Sequence, residues 1–279
     1  MIEKLPNPAC IPVKCRYFLW LVTLDFHARK LIVLLTALSA AMGAALAQTD
    51  EIQVYDAGIA DPGKLNLTWH NNYTPLGRDT PAFPGAVIPD KSFNGVPEWA
   101  YGVTDWFEAG LYLPIYSLSR GRGLSFDGFK LRTLFVSPHA ADRTFFYGMN
   151  FEYSYNSKFW DTTRFSGEVR PILGVHLHPV DLIINPILDT HYDRLGNLEF
   201  VPASRIAYIF SDNLAFALEE YADFGPVKRF LPSHQQFHEV FGVVDYSTKL
   251  VNIEFGAGIG LTGASDQVTL KLMFSRDLN

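Results

Sequence analysis

The groups in this chain with chemical capacity are acids and bases set at alternate positions: Glu108, Lys130, Arg132, Glu152, Arg164, Glu168, Arg170, Glu199, Arg205, Glu219, Glu254 and Lys271. Opposite signs fall on successive segments. Glu108 precedes Lys130 and Arg132, these precede Glu152, Arg205 precedes Glu219, and Glu254 precedes Lys271. Such groups need partners in a low-dielectric setting, so the pattern predicts crossed ion pairs along a wall. There they act either as a structural ladder or as a selectivity filter for small solutes. Other chemistry is thinner. His176 and His178 share a strand face at a spacing a metal can bridge, but no third ligand accompanies them. Ser204 has no obvious histidine on a neighbouring segment to activate it. No cofactor or metal site is expected.

These residues are carried by segments of period two bounded by turn residues. They run approximately 64–73, 97–103, 107–117, 128–137, 144–156, 164–178, 181–189, 198–210, 214–222, 237–246, 249–261 and 267–276. Each is near the ~10 residues that cross a bilayer at a barrel's tilt. In 144–156 the odd positions are Phe145, Tyr147, Met149, Phe151, Tyr153 and Tyr155, against Phe146, Gly148, Asn150, Glu152, Ser154 and Asn156. The same split sets Phe107, Ala109, Leu111 and Leu113 against Glu108, Gly110 and Tyr112. In 237–246 both faces compete, and no assignment follows.

Connections alternate in length. Short turns lie at 104–106, 138–143, 179–180, 211–213 and 247–248, and longer polar or Gly/Pro-rich loops at 74–96, 118–127, 157–163, 190–197, 223–236 and 262–266. That alternation fits a closed, antiparallel, up-and-down transmembrane β-barrel of about twelve strands with both termini periplasmic. A soluble sandwich could alternate too. Long strands, aromatics near strand ends and a polar face rich in glycine favour the barrel, with apolar residues toward lipid and charges toward the lumen. The three-residue turns at 104–106 and 211–213 call for a left-handed residue, which Asn213 adopts more readily than Trp106. Loop 74–96, with Pro75, Pro81, Pro84 and Pro89, is long enough to fold inward as a constriction.

Upstream, Arg29 to Ala47 reads as a signal peptide cleaved after Ala47, preceded by an extension that holds both cysteines, Cys10 and Cys15. Residues 48–63 are expected as a periplasmic N-terminal segment and 64–279 as the barrel. Removing 1–47 takes away five of the 23 Lys+Arg and two of the 29 Asp+Glu, leaving 18 against 27 and a formal charge of −9. That balance argues against a nucleic-acid partner. The remainder has no apolar run long enough for a membrane helix, so it crosses a bilayer only as a closed sheet.

The hairpins YGVTDWFEAGLYLP, Tyr101 to Pro114, and YIFSDNLAFALEEY, Tyr208 to Tyr221, resemble the repeated aromatic-x-x-Thr/Ser-Asp hairpins of a proteobacterial outer-membrane barrel family. That family is labelled for the MetA pathway of phenol degradation, or simply transporter. The resemblance spans most of 48–279 and implies a barrel of the Gram-negative outer membrane that passes small, aromatic or hydrophobic solutes. Outer-membrane barrels generally end on an aromatic residue, whereas this chain continues past Phe274 with Ser-Arg-Asp-Leu-Asn. The expected function is passive transport, with outer-membrane lipid, a small-molecule solute and the barrel-assembly machinery as partners. The alternatives are an outer-membrane lipid hydrolase and a non-conducting structural or partner-binding barrel.

Overall fold

The computed structural model describes residues 50–192 and 194–279. The signal-peptide reading, with Cys10 and Cys15, falls outside them.

Fourteen strand segments form one sheet: β1 (Leu65–Leu76), β2 (Ser92–Gly102), β3 (Phe107–Ser119), β4 (Gly123–Val136), β5 (Phe145–Asn156), β6 (Phe165–His176), β7 (Val180–Asn185), β8 (Leu188–Thr190), β9 (Glu199–Phe200), β10 (Ala203–Ser211), β11 (Leu214–Asp223), β12 (Phe237–Ser247), β13 (Asn252–Gly260) and β14 (Val268–Asp277). Every pairing is antiparallel; besides sequence neighbours, β6 pairs with β8 and β7 with β10, and β1 pairs with β14, which closes the sheet. β7 and β8 are one stave interrupted at Pro186, and β9 and β10 one interrupted at Pro202, because proline has no N–H for the ladder. The result is a closed barrel of twelve staves. At the seam Asn279 accepts from the Leu65 amide at 2.8 Å, which fastens the last residue beside the first strand.

The faces are inverted relative to a water-soluble protein. Trp69, Leu131, Phe151, Leu218 and Ile259 are 44–61% exposed on the outer face, while His70, Asn72, Glu98, Glu219 and Lys271 are at most 4% exposed inside. A wall of this polarity is stable only where hydrocarbon solvates the outer face. In β12 the ambiguity resolves: Phe237, Glu239, Phe241 and Val243 point inward, and Val240, Val244 and Tyr246 outward.

Inner glycines make room for large inward groups. A Cβ at Gly258 would lie 2.5 Å from Cζ of Phe241, which is fully buried, whereas one at lipid-facing Gly242 would meet nothing within 4 Å. Gly258→Ala is therefore expected to cost about 1–3 kcal/mol. Gly242→Ala, on the same hairpin, should leave the urea midpoint unchanged or raise it slightly.

Two expectations about turns are corrected. Trp106 and Asn213 are absent from the residues with positive φ. The first turn is closed instead by the Val103 and Thr104 amides on the Phe107 carbonyl and by the Trp106 amide on Thr104 Oγ1. Loop 74–96 is shorter than expected, because β1 extends to Leu76 and β2 begins at Ser92.

Of the segment expected ahead of the barrel, the structure describes residues 50–63. From Asp50 to Ala60 the chain runs inside the barrel instead of lying beyond its rim. Asp50, Ile52, Val54, Tyr55, Ala57 and Ala60 are each at most 9% exposed and bond to staves on every side. We call this segment the strap.

Candidate functional site: the occupied lumen

The strap descends the lumen. Its Asp50 end lies toward the long loops, paired with Lys130 at 2.6 Å, and its carbonyl accepts from Asn72 at 3.2 Å. Ile52 offers its carbonyl to Lys271 at 3.3 Å, and Gln53 its carbonyl to Arg170 at 3.1 Å. Asn185 brackets Tyr55, accepting its amide at 2.7 Å and donating to its carbonyl at 3.0 Å. The Ala60 amide donates to Glu108 at 2.6 Å near the short-turn end. Gly63 then bonds the Gly102 carbonyl at 2.8 Å, and the chain turns up into β1. Gly102 permits this turn, since a Cβ there would fall 2.2 Å from the Ala60 carbonyl oxygen.

Apolar contacts reinforce the polar ones. Val54, Tyr55 and Ala57 pack on Leu134, Val136, Phe146, Ile172 and Ile183, and Ile52 packs on Ala207, Ala217, Phe241 and Val243. Each buried Ile, Val or Tyr of the strap contributes about 1.5–3 kcal/mol of hydrophobic stabilisation as an upper bound. Phe146 belongs to the face read as polar. It turns inward because the strap and its neighbours give it an apolar pocket.

Tyr55 is read by its side chain as well as its main chain. Its hydroxyl lies 2.6 Å from that of Tyr112 and donates to Glu152 at 3.3 Å, and the Arg170 guanidinium sits 4.1 Å from the ring centroid. A phenol ring is thus held mid-lumen by a hydroxyl, a carboxylate and a cation over its face.

The charges named from the sequence fall mostly around this strap. Arg132 bridges Glu108 and Glu98, the latter at 2.8 Å. Lys130 reaches Glu152 at 3.7 Å, and Arg170 holds Glu168 through two bonds at 2.6 and 2.9 Å. Arg205 contacts Glu219 and Asp245, with Glu254 at 3.4 Å, while Lys271 contacts Glu219, with Glu254 at 2.6 Å. Glu199 lies half-buried opposite Asp189 in the β8–β9 pair. Arg164 is the correction. It is exposed just before β6 and donates to the Tyr155 hydroxyl at 2.7 Å, because alternation is no guide to direction beyond a strand's end.

Groups missed by the sequence reading include Glu98, whose carboxylate lies 3.1 Å from His70 Nε2, together with Asp50, Glu51, Glu239 and Asp245. Glu98 and Glu239 carried an alternation signal; Asp50 and Glu51 carried none. Of the two histidines read as a possible metal pair, His176 is bound to Asp181 at 2.8 Å and His178 is exposed.

Below the strap a cavity of about 610 Å³ opens toward the short turns. It is lined by the strap from Gln53 to Asp61, by Glu98, Glu108, Arg132, Arg205, Asp245 and Glu254, and at its rim by Asn66, Asn213, Asn252 and Asp277. At the opposite end residues 77–91 cross part of the mouth. Arg78 is held by Asp266 at 2.8 Å, the Gly85 carbonyl accepts from Arg122 at 2.8 Å, and the Val87 amide donates to the Phe159 carbonyl at 3.0 Å. Val87 packs with Trp160 on the inward Val96, Tyr112 and Ile115. The lumen is open below and partly covered above.

The solved structures agree with this architecture. The chain has the fold of outer-membrane β-barrels. A COG4313 outer membrane channel from Pseudomonas putida F1 superposes with a TM-score of 0.55 at 13% identity, covering 82% of this chain and 100% of that one. A KdgM porin in complex with disordered oligogalacturonate gives 0.49 at 9% identity, over 77% and 99%. LpxR from Salmonella typhimurium gives 0.39 at 8% identity, over 76% and 99%. No family model matches the chain, and no curated protein matches it either. The likeness extends to the fold, and the phenol-pathway label finds no match.

Two outer loops are joined by an ion pair, His191 Nε2 to Asp161 Oδ2 at 3.4 Å. The bond to Asp161 raises the His191 pKa despite burial, and although burial opposes it, the bonds from His191 and the Thr163 amide hold Asp161 low. With the histidine raised, this contact is fully present below the ordinary histidine value and lost as pH rises through the raised one. It is lost again when strong acid protonates Asp161. Hydrogen exchange of 157–163 should therefore quicken as pH climbs past neutrality, after correction for intrinsic rates. His191→Gln should abolish that dependence.

Proposed function

We propose that this protein is a passive outer-membrane channel for small solutes, aromatic ones among them, resting in a state closed by its strap. The observation that carries this reading is the polar, ion-paired lumen with a 610 Å³ cavity open at the short-turn end, which this orientation makes periplasmic. A barrel that served only as scaffold could fill its interior with wall side chains, as barrels of about eight strands do. Here a separate, tethered segment fills it. The aromatic part of the reading is supported by the Tyr55 subsite, where Tyr112, Glu152 and Arg170 hold a phenol ring. The lumen carries more acids than bases, so the open pore should favour cations over anions.

Recording from purified protein in planar bilayers, with liposome swelling in phenol, cresol and sugars, tests this. The expected result is low or intermittent conductance, with phenols entering faster than sugars of similar size. A barrel silent in both assays, with the strap loosened, would exclude a pore. The second reading, a non-conducting envelope barrel, is favoured by the strap's extensive burial and is the outcome that silence would support.

A further inference from the structure

We propose that the lumen is a binding site for short, extended peptides carrying an aromatic residue, and that the strap is its resident, tethered occupant. This rests on the channel reading and names a substrate class for the same site.

Much of the strap's polar recognition is of main-chain atoms. Asn185 reads both the N–H and the C=O of Tyr55, as one peptide group reads another. Arg170, Lys271 and Asn72 donate to the carbonyls of Gln53, Ile52 and Asp50, and Glu108 accepts the Ala60 amide. Contacts of this kind do not depend on which side chains the bound segment carries. The strap side chains that the wall selects are Asp50, paired with Lys130 at 2.6 Å, Glu51, 3.9 Å from Arg170, and the aromatic Tyr55, in its hydroxyl, carboxylate and guanidinium pocket.

Asn185 adds an independent pointer. Its side chain is fully buried beside Ile183 and Ile187, and it accepts from and donates to the strap's main chain. A buried amide without partners is costly, so with the strap displaced this group favours an occupant offering a peptide N–H and C=O in register. Such a solute reproduces bonds that a sugar or a simple phenol cannot. The cavity beside the strap reaches Gln53, Val54 and Tyr55 from the open end and gives a competing segment access.

The test uses the full chain with Tyr55→Ala and Ala60→Pro. Together these remove the ring and the amide that Glu108 holds while leaving every wall residue in place. Circular dichroism verifies the barrel. The probe is acetyl-Gln-Val-Tyr-Asp-amide, with acetyl-Gly-Val-Tyr-Gly-amide as a second sequence. Both should interrupt the current of the loosened protein at micromolar to millimolar concentration, and Asn185→Ala in that background should weaken the block at least tenfold. Fluorescence anisotropy of labelled peptide provides a readout independent of conductance. A barrel that conducts but is neither blocked nor bound by either peptide overturns the peptide site and leaves the channel standing. A silent barrel that binds both keeps the site and removes the conduit. Block unaffected by Asn185→Ala overturns the main-chain reading.

Discussion

Lys271→Met should lower the unfolding free energy of the barrel by about 3–5 kcal/mol, read from urea or guanidinium titration in detergent or lipid. Lys271 is fully buried on β14 and contacts Glu219 on β11 and Glu254 on β13, besides donating to the Ile52 carbonyl of the strap. Methionine matches its length and flexibility, so lost packing is a small part of the effect. The larger part is that Glu219, itself 1% exposed, loses one of its two cationic partners and keeps Arg205 alone. Adding Glu219→Gln and Glu254→Gln should restore much of the loss, because neutral side chains cost less to bury than an unbalanced pair of carboxylates. If Lys271→Met were silent, the inward ladder would be decorative.

Leu131→Arg should cost about 2–4 kcal/mol. Leu131 is half exposed on β4, between the inward Lys130 and Arg132. Exposure to water would make this substitution nearly neutral, since a surface leucine contributes little. Exposure to hydrocarbon makes it expensive, because the guanidinium must be desolvated or drag water into the bilayer. Leu131→Met, by contrast, should leave stability unchanged. A neutral arginine at this position would show that the outer face is wet.

Much of the wall was legible because its signal is local. In β5 the alternation of Phe145, Tyr147, Phe151 and Tyr153 with Asn150, Glu152 and Ser154 states both the strand and its two solvents, and the paired ladders follow from charges at matched positions such as Arg132 opposite Glu152. β12 was ambiguous for a physical reason. Phe237, Phe241 and Val243 occupy an inner face made apolar locally by the strap and by the space that Gly258 leaves, so both of its faces are greasy.

The strap was illegible for the complementary reason. Residues 50–60 lack a repeating pattern, and what fixes them is distant in sequence: Asn185 lies 130 positions from Tyr55, and Lys271 lies 219 from Ile52. Each bond is made by a side chain that already had a reason to face inward. Glu108, Arg170 and Lys271 are therefore legible in the sequence, while the segment they hold is not. Arg164 was misplaced because it sits one residue beyond the ladder, where period two no longer applies.

Hydrogen exchange of residues 50–60 in the intact, lipid-embedded protein tests the central claim, that the chain closes its own lumen. The Tyr55 and Ala60 amides are bonded to Asn185 and Glu108 in a buried setting, so deuterium should enter this stretch as slowly as it enters the wall strands β3 and β6. Exchange across 50–60 at the rate of a free peptide would show the segment hanging outside the barrel and would contradict the account.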